Sequence, residues 1–310
     1  MTVFVVGGTG FIGYRLVRLL VARGQNVTCM DANPEAHCFA DLGGMVRSVR
    51  GDVTQFADVM AAMASAKAER VVNLAYLIGD HPPHAALRLN VLGMDNCFEA
   101  ARLLGVNHTV YAGSFALNGK QTNYGDRTVT EDDPVFGEDQ YAKHKIMNEW
   151  QAQEYIEKYD MRITGIRCAY VTGRDKIRGS VDHVQCITEP ARGNAITLPF
   201  KDAMVCAIHV DDMAEVFARV VMADKPAFRV YNSGGTSVSL GEIAEIVRAF
   251  LPDAQIGFRN EYGAKRLNST YLLDNNRLTS EFAIRYPPFR ERVLQIINDT
   301  RRDAGLPLVA

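Results

Sequence analysis

The chain has 310 residues, 47% hydrophobic and 23% charged, with 34 Lys and Arg against 36 Asp and Glu for a net charge of −2. This composition supports a sizeable core and excludes extensive disorder, and with no basic excess neither nucleic acid nor an anionic membrane is an expected partner. The six cysteines, Cys29, Cys38, Cys97, Cys168, Cys186 and Cys206, contain no CxxC pair, a pattern of reduced thiols in a cytoplasmic protein.

The first strand is read at Val3 to Val6. It leaves no room for a signal peptide, and no apolar run reaches the length of a membrane span. Gly7, Gly10 and Gly13 follow at three-residue spacing, and Phe11, Ile12, Leu16, Leu19 and Leu20 then recur with helical spacing. A strand, a glycine turn and a helix bring free N–H groups and the positive end of a helix dipole to a pyrophosphate. The glycines remove side chains that would hold the phosphates away. Gly7, Gly10, Phe11 and Ile12 are therefore expected to bind a nucleotide. The helix should stop at Gly24.

A second strand, 26–30, ends in Asp31. An acid there accepts hydrogen bonds from ribose hydroxyls and repels a 2′-phosphate, and no Arg or Lys follows in 32–36, so NAD is favoured over NADP. The plainer alternative is a strand-end residue. The third strand, 46–50, closes with Gly51, Asp52 and Val53. Asp52 is placed to cap the next helix (about 55–66), to meet the adenine amino group, or both. The fourth strand, 71–74, runs into Ala75, and Leu74 and Ala75 should lie beside the cofactor, because ligands collect at the carboxyl ends of such strands. His81 and His84 lie in an irregular loop that two prolines keep from aligning metal ligands, and no metal is expected. A long helix, 85–104, contains Asn90 and Asn96 in an otherwise apolar-periodic run and ends at Gly105. The fifth strand is 108–112. Alternating strands and helices through residue 112 imply an α/β fold, a doubly wound parallel sheet with helices on both faces.

Three polar residues follow. Ser114 lies just past the fifth strand, and Tyr141 and Lys145 are one turn apart on a helix over about 139–158. A phenol's ordinary pKa of about 10 is too high for a base at neutral pH. A nearby lysine ammonium and an oxidised nicotinamide would lower it. Tyr141 would then take a hydroxyl proton while hydride leaves the same carbon, Lys145 would also bond the nicotinamide ribose, and Ser114 would hold the reacting oxygen.

The motifs GGTGFIG at 7–13, Asp31, Gly51-Asp52-Val53, Asn73-Leu74-Ala75, Asn90-Val91-Leu92-Gly93, Ser114, Tyr141 to Lys145 and His209-Val210-Asp211-Asp212 together resemble the extended short-chain dehydrogenases/reductases, the NAD-dependent epimerase/dehydratase family. The resemblance spans essentially the whole chain, most specifically 3–232. It implies an NAD-binding Rossmann domain over 1–170, to which 205–235 returns, and a smaller C-terminal α/β substrate domain over 171–310. It implies tightly held NAD, Ser114–Tyr141–Lys145 chemistry on a carbinol or ketone, and a homodimer through helices 85–104 and 140–158. Asp52, Val53, Leu74, Ala75 and Tyr170 join Tyr141 and Lys145 in the cofactor set.

The sixth strand is read at 161–167. Beyond it, Tyr170 stands where nucleotide-sugar enzymes of the family usually place an Asn that binds the sugar nucleotide. Val205 and Cys206 replace their Arg-Asp pair. Both departures disfavour a nucleotide-bearing substrate. Arg174, Lys176 and Arg178 either supply charge to a substrate or form a solvated basic loop. Asp211 or Asp212 is expected to cap a helix at 213–217, and Ser239 and Glu242 to form a capping box. A strand is read at 230–232, a final helix at about 289–304, and Lys265 and Arg266 are candidate substrate contacts. The expected function is an NAD-dependent oxidoreductase on a secondary alcohol or ketone of a small non-nucleotide substrate. The alternatives are a nucleotide-sugar epimerase or dehydratase with transient oxidation, and a cofactor-sensing regulator on the same fold.

Overall fold

The computed structural model describes residues 1–34, 38–263 and 269–310. Its first strand, β1 (Thr2–Val6), is buried on both faces. Val3 and Val5 enter one apolar cluster and Phe4 and Val6 another, so helices must cover both sides of the sheet. The chain continues with α1 (Phe11–Ala22), β2 (Asn26–Asp31), β3 (Val46–Arg50), α2 (Phe56–Ala66), β4 (Arg70–Asn73), α3 (Pro83–Leu87), α4 (Gly93–Leu103), β5 (His108–Ser114), α5 (Gln140–Tyr159) and β6 (Ile163–Cys168). It then runs through β7 (Tyr170–Thr172), α6 (Asp182–Ala191), β8 (Ile196–Phe200), β9 (Met204–His209), α7 (Val210–Met222), β10 (Val230–Asn232), β11 (Thr236–Ser239), α8 (Leu240–Phe250), β12 (Ile256–Asn260), α9 (Asn276–Phe282) and α10 (Phe289–Asp303).

Seven parallel strands form the main sheet in the order β10-β6-β5-β4-β1-β2-β3. The chain direction of winding reverses between β1 and β4, and a crevice opens there at the carboxyl ends of the strands. α1 and α7 cover one face through Leu16, Leu20, Val216 and Phe217. α2 and α4 cover the other through Val59, Met63, Cys97 and Ala101. A separate cluster joins α6, β8, α8 and α10. β7, β9 and β11 make a three-stranded sheet and β8 and β12 a two-stranded one. Burying each large aliphatic side chain in these clusters contributes about 1.5–3 kcal/mol. No helix among the described residues is long and apolar enough to cross a membrane.

Several expectations are corrected. The helix over 85–104 is not continuous. A π turn, Arg88–Leu92, separates α3 from α4. Asn90 explains the break. Its side chain accepts from Leu77 N at 2.8 Å and donates to Leu77 O at 3.1 Å. From α5, Asn148 donates to Asn90 O at 2.9 Å and Gln151 to Val91 O at 3.2 Å, satisfying carbonyls that the widened turn exposes. Asn96, the other polar residue of this run, donates to Val53 O at 2.9 Å.

Asp52 does not cap α2, whose cap position is Gln55 without a side-chain bond. It accepts from Thr54 N at 2.9 Å and forms a turn of its own. Neither Asp211 nor Asp212 caps α7. His209 does, Nδ1 accepting from Asp211 N at 3.2 Å. Asp212 pairs with Arg292 of α10, and Asp211 accepts from Gln295. The sixth strand starts two residues later than read, and Ser114 is the last residue of β5, not the residue beyond it. The Ser239–Glu242 capping box is present. The elements β7, α6, β8, β9, β11, β12 and α9 were not read from the sequence. Lys265 and Arg266 lie outside the described residues.

Candidate functional site

The glycine turn sits at the carboxyl end of β1. Gly7 has φ +75°, and a Cβ there would lie 2.9 Å from Ala75 N. A Cβ on Gly13 would lie 2.3 Å from Gly7 O. Only glycine permits the left-handed backbone at the first position and the close helix–turn packing at the second. α1 then opens at Gly10 with no side-chain cap, so its first amides face the crevice ready for an anion. Phe11 and Ile12 are the first helical residues, both half-buried.

Asp31 ends β2, and its Oδ2 accepts from Thr9 Oγ1 at 2.6 Å. Thr9, unremarked in the sequence, thereby fixes the acid against the glycine turn. The second oxygen has only a long 3.5 Å approach from Asn33 N and is open to a ribose hydroxyl. Asn73 Oδ1 accepts from Ala75 N at 3.1 Å and shapes the strand end at Leu74 and Ala75. The uncapped helix, the carboxylate at the β2 end and the tight wall at Ala75 fit a dinucleotide. Val53 is buried and Asp52 is exposed at the neighbouring corner.

The second group sits where β5 and α5 meet. Asp139 caps α5 by accepting from Ala142 N at 2.7 Å. Tyr141 and Lys145 then fall one turn apart on the buried side. Ser114 Oγ accepts from Ala116 N at 3.2 Å, capping the short turn that follows β5, and the Ser114 hydroxyl acts to lower the Tyr141 pKa. Lys145 is 1% exposed. Its Nζ donates to Ala112 O at 2.6 Å and lies 3.2 Å from the centre of the Tyr76 ring. Tyr76 in turn meets Tyr141 edge-on at 5.3 Å. The sequence reading missed Tyr76. Its signal is a large aromatic at a strand end that faces a ligand crevice.

Burial pushes the Tyr141 phenol up, opposed by the Ser114 hydroxyl. The lysine one turn away does not reverse this. Burial lowers Lys145 itself to about 7, with Cys168 and Glu149 acting the other way. Activating Tyr141 therefore needs further positive charge beside it.

Tyr170 packs against Phe115 at 4.9 Å and His183 at 5.4 Å, and its hydroxyl donates to Ser269 Oγ at 3.2 Å. Val205 and Cys206 are both buried. The basic loop is not simply solvated: Arg174 pairs with Asp303, and Lys176 Nζ turns inward to Val171 O, while Arg178 is exposed.

A family model described as the NAD dependent epimerase/dehydratase family matches residues 3–234. UDP-glucose 4-epimerase of Mycolicibacterium smegmatis is 31% identical over 232 residues, covering 71% of this chain and 72% of that protein. The structure of Thermus thermophilus UDP-glucose 4-epimerase in complex with NAD has the same fold, with TM-score 0.83 and 22% identity over 97% of this chain and 99% of that one. So does a partial consensus L-threonine 3-dehydrogenase, with TM-score 0.87 and 19% identity over 97% and 100%. The match over most of the chain establishes its kind: it belongs to the NAD-dependent epimerase/dehydratase family and is an NAD-dependent enzyme.

Proposed function

We propose that this enzyme interconverts a secondary alcohol and its ketone on a small substrate without a nucleotide handle, with net transfer of hydride. Gly7, Gly10, Phe11, Ile12 and Asp31 hold the dinucleotide, flanked by Asp52, Val53, Leu74 and Ala75. Bound NAD supplies the hydride acceptor. Tyr141 takes the hydroxyl proton, and Ser114 holds the oxygen on which charge develops. Lys145 contributes positive charge next to the phenol and reaches the nicotinamide ribose. Residues 1–170, with 205–235, form the NAD-binding part, and 171–310 mainly shape the substrate side, with Tyr170 at their junction.

The observation that carries the substrate class is Tyr170. Its ring is wedged between Phe115 and His183, where family members that bind sugar nucleotides usually have an Asn. Buried Val205 and Cys206 leave no cation at the matching pair. The second reading, epimerisation or dehydration with transient oxidation, is favoured by the 31% identity to a UDP-glucose 4-epimerase. The two differ in whether NADH accumulates. Protein with NAD and a panel of secondary alcohols should give absorbance at the NADH band. No such signal, together with interconversion of UDP-glucose, would reverse the choice. Tyr141→Phe should abolish turnover and leave NADH affinity within about threefold.

We further propose a homodimer through α3–α4 and α5. Leu87, Leu92, Met147 and Trp150 are large apolar side chains left exposed on these elements, Trp150 by 56%, and such patches mark association surfaces. Sedimentation should show a dimer, converted to monomer by Trp150→Glu. A monomeric parent protein would remove this proposal.

A further inference from the structure

The loop between β7 and α6 lies against α1 and the segment that follows β4. At its start a Cβ on Gly173 would lie 3.0 Å from the Phe11 ring. Asp175 pairs with Arg15 of α1 at 2.5 Å. At its far end a Cβ on Gly179 would lie 2.7 Å from Ile78 Cγ2. The loop thus spans from the glycine turn to the segment that follows β4. Lys176 is at its midpoint, with the ammonium turned inward and Nζ donating to Val171 O at 2.9 Å.

His183, 1% exposed, brings Nε2 to 3.4 Å from the same carbonyl. Its Nδ1 is shielded from solvent and has no hydrogen-bond partner among the described residues. The imidazole also meets Tyr170, which packs on Phe115, the residue after Ser114. The two cations beside Lys176 differ from it: Arg174 is taken by Asp303, and Arg178 is exposed. Among the described residues, no carboxylate lies within ion-pair distance of Lys176. Burial lowers its ammonium to about 8, and burial with the Lys176 charge holds His183 at about 3. His183 is therefore neutral near pH 7, and the positive charge of the cluster is that of Lys176. Lys176 is only partly exposed to water, and a partly desolvated ammonium that lacks an ion pair is stabilised when an anion meets it.

We propose that Lys176, with His183 beside it, forms a carboxylate-binding subsite, so that the substrate is a small hydroxy acid or keto acid. This rests on the alcohol–ketone reading above and names its substrate class. Lys176 carries the charge recognition, and the unpartnered His183 nitrogen offers a hydrogen bond to a second polar group of the same ligand.

The test uses the NAD-loaded full chain with small hydroxy acids and their primary amides, 3-hydroxybutyrate and lactate first, and UDP-glucose as a separate arm. Binding is read by thermal shift and by titration. At least one acid should bind about tenfold or more tightly than its amide. Lys176→Gln keeps a donor for Val171 O without the charge, and it should erase the acid preference while NADH affinity stays within about threefold. The acid–amide comparison on the unaltered protein is decisive even if that variant fails to fold. Equal binding of acids and amides, no binding of either, or an acid preference that survives Lys176→Gln would overturn the subsite. So would Lys176-dependent binding shown by UDP-glucose and by no small acid. An acid preference without NADH formation from any alcohol would instead count against the hydride-transfer reading and leave the subsite standing.

Discussion

The Lys145 ammonium sits over the face of Tyr76, with Nζ 3.2 Å from the ring centre. The contact closes a circuit of side chains. Asn148 of α5 holds the π turn at Asn90 O, Asn90 clamps Leu77, and the chain beside Leu77 presents Tyr76 back to Lys145 of α5. A ring face stabilises a desolvated ammonium by about 0.5–2 kcal/mol. Tyr76→Phe keeps the face and should keep kcat/KM within about threefold. Tyr76→Leu removes it and should lower kcat/KM by about 3- to 30-fold. Steady-state kinetics on both variants decide the matter, and equal losses would assign the effect to the hydroxyl.

The buried Lys145 makes the fold pH-dependent in a defined direction. Its pKa falls from the ordinary 10.5 to about 7 in the folded protein. Between these values the unfolded chain binds a proton that the folded chain lacks, so stability rises with pH across this window. Below pH 7 the full cost of burying the cation is present. Lys145→Met should therefore be more stable than the parent at pH 7, by about 0.5–2 kcal/mol, and the difference should shrink as pH approaches 10. Thermal melts of the cofactor-free proteins at pH 7 and 9.5 test this. A gap that is negative, or constant with pH, would contradict it.

We expect Asp31, through its charge at the end of β2, to set cofactor choice. Thr9 holds one carboxylate oxygen at 2.6 Å, so the acid does not swing away from a ribose phosphate. Replacing it with a neutral residue removes a close anion–anion repulsion worth about 1–3 kcal/mol in a half-buried site. Asp31→Ser should therefore raise the NADP/NAD ratio of kcat/KM about 10- to 100-fold. An unchanged ratio would show that some other group selects the cofactor.

The π turn between α3 and α4 depends on donors from α5. Asn148 is buried and donates to Asn90 O, so Asn148→Ala leaves a buried carbonyl short of its partner. The loss should be about 1–3 kcal/mol by urea unfolding at an unchanged m-value. A larger fall in m than in midpoint would mean that the unfolded state, not this bond, is affected.

Local patterns in the chain were enough to place the glycine turn between β1 and α1, Asp31 at a strand end, and Tyr141 and Lys145 one turn apart on a helix. Each is encoded by near-neighbour spacing: three-residue glycines, the end of an apolar run, one helical turn. The parallel sheet followed from alternation alone, because its strands are buried on both faces and leave short apolar runs between helices. Where side chains answer to distant partners, the sequence was silent or misleading. Asn90 looked like a polar intruder in one long helix, and only its contacts with Leu77 and Asn148 show that it breaks that helix. His209 took the cap expected of Asp211 or Asp212, because α10 claims both acids through Arg292 and Gln295. Lys145 together with an oxidised nicotinamide was expected to lower the Tyr141 pKa, and spacing alone did not show that burial, a property of the packed interior, pushes the phenol up and the ammonium down. Likewise Arg174, Lys176 and Arg178 were equivalent in one dimension. Tertiary packing alone pairs the first, exposes the last, and turns the half-buried Lys176 inward without a counter-ion among the described residues, because only the fold decides which charges meet and which are kept from water.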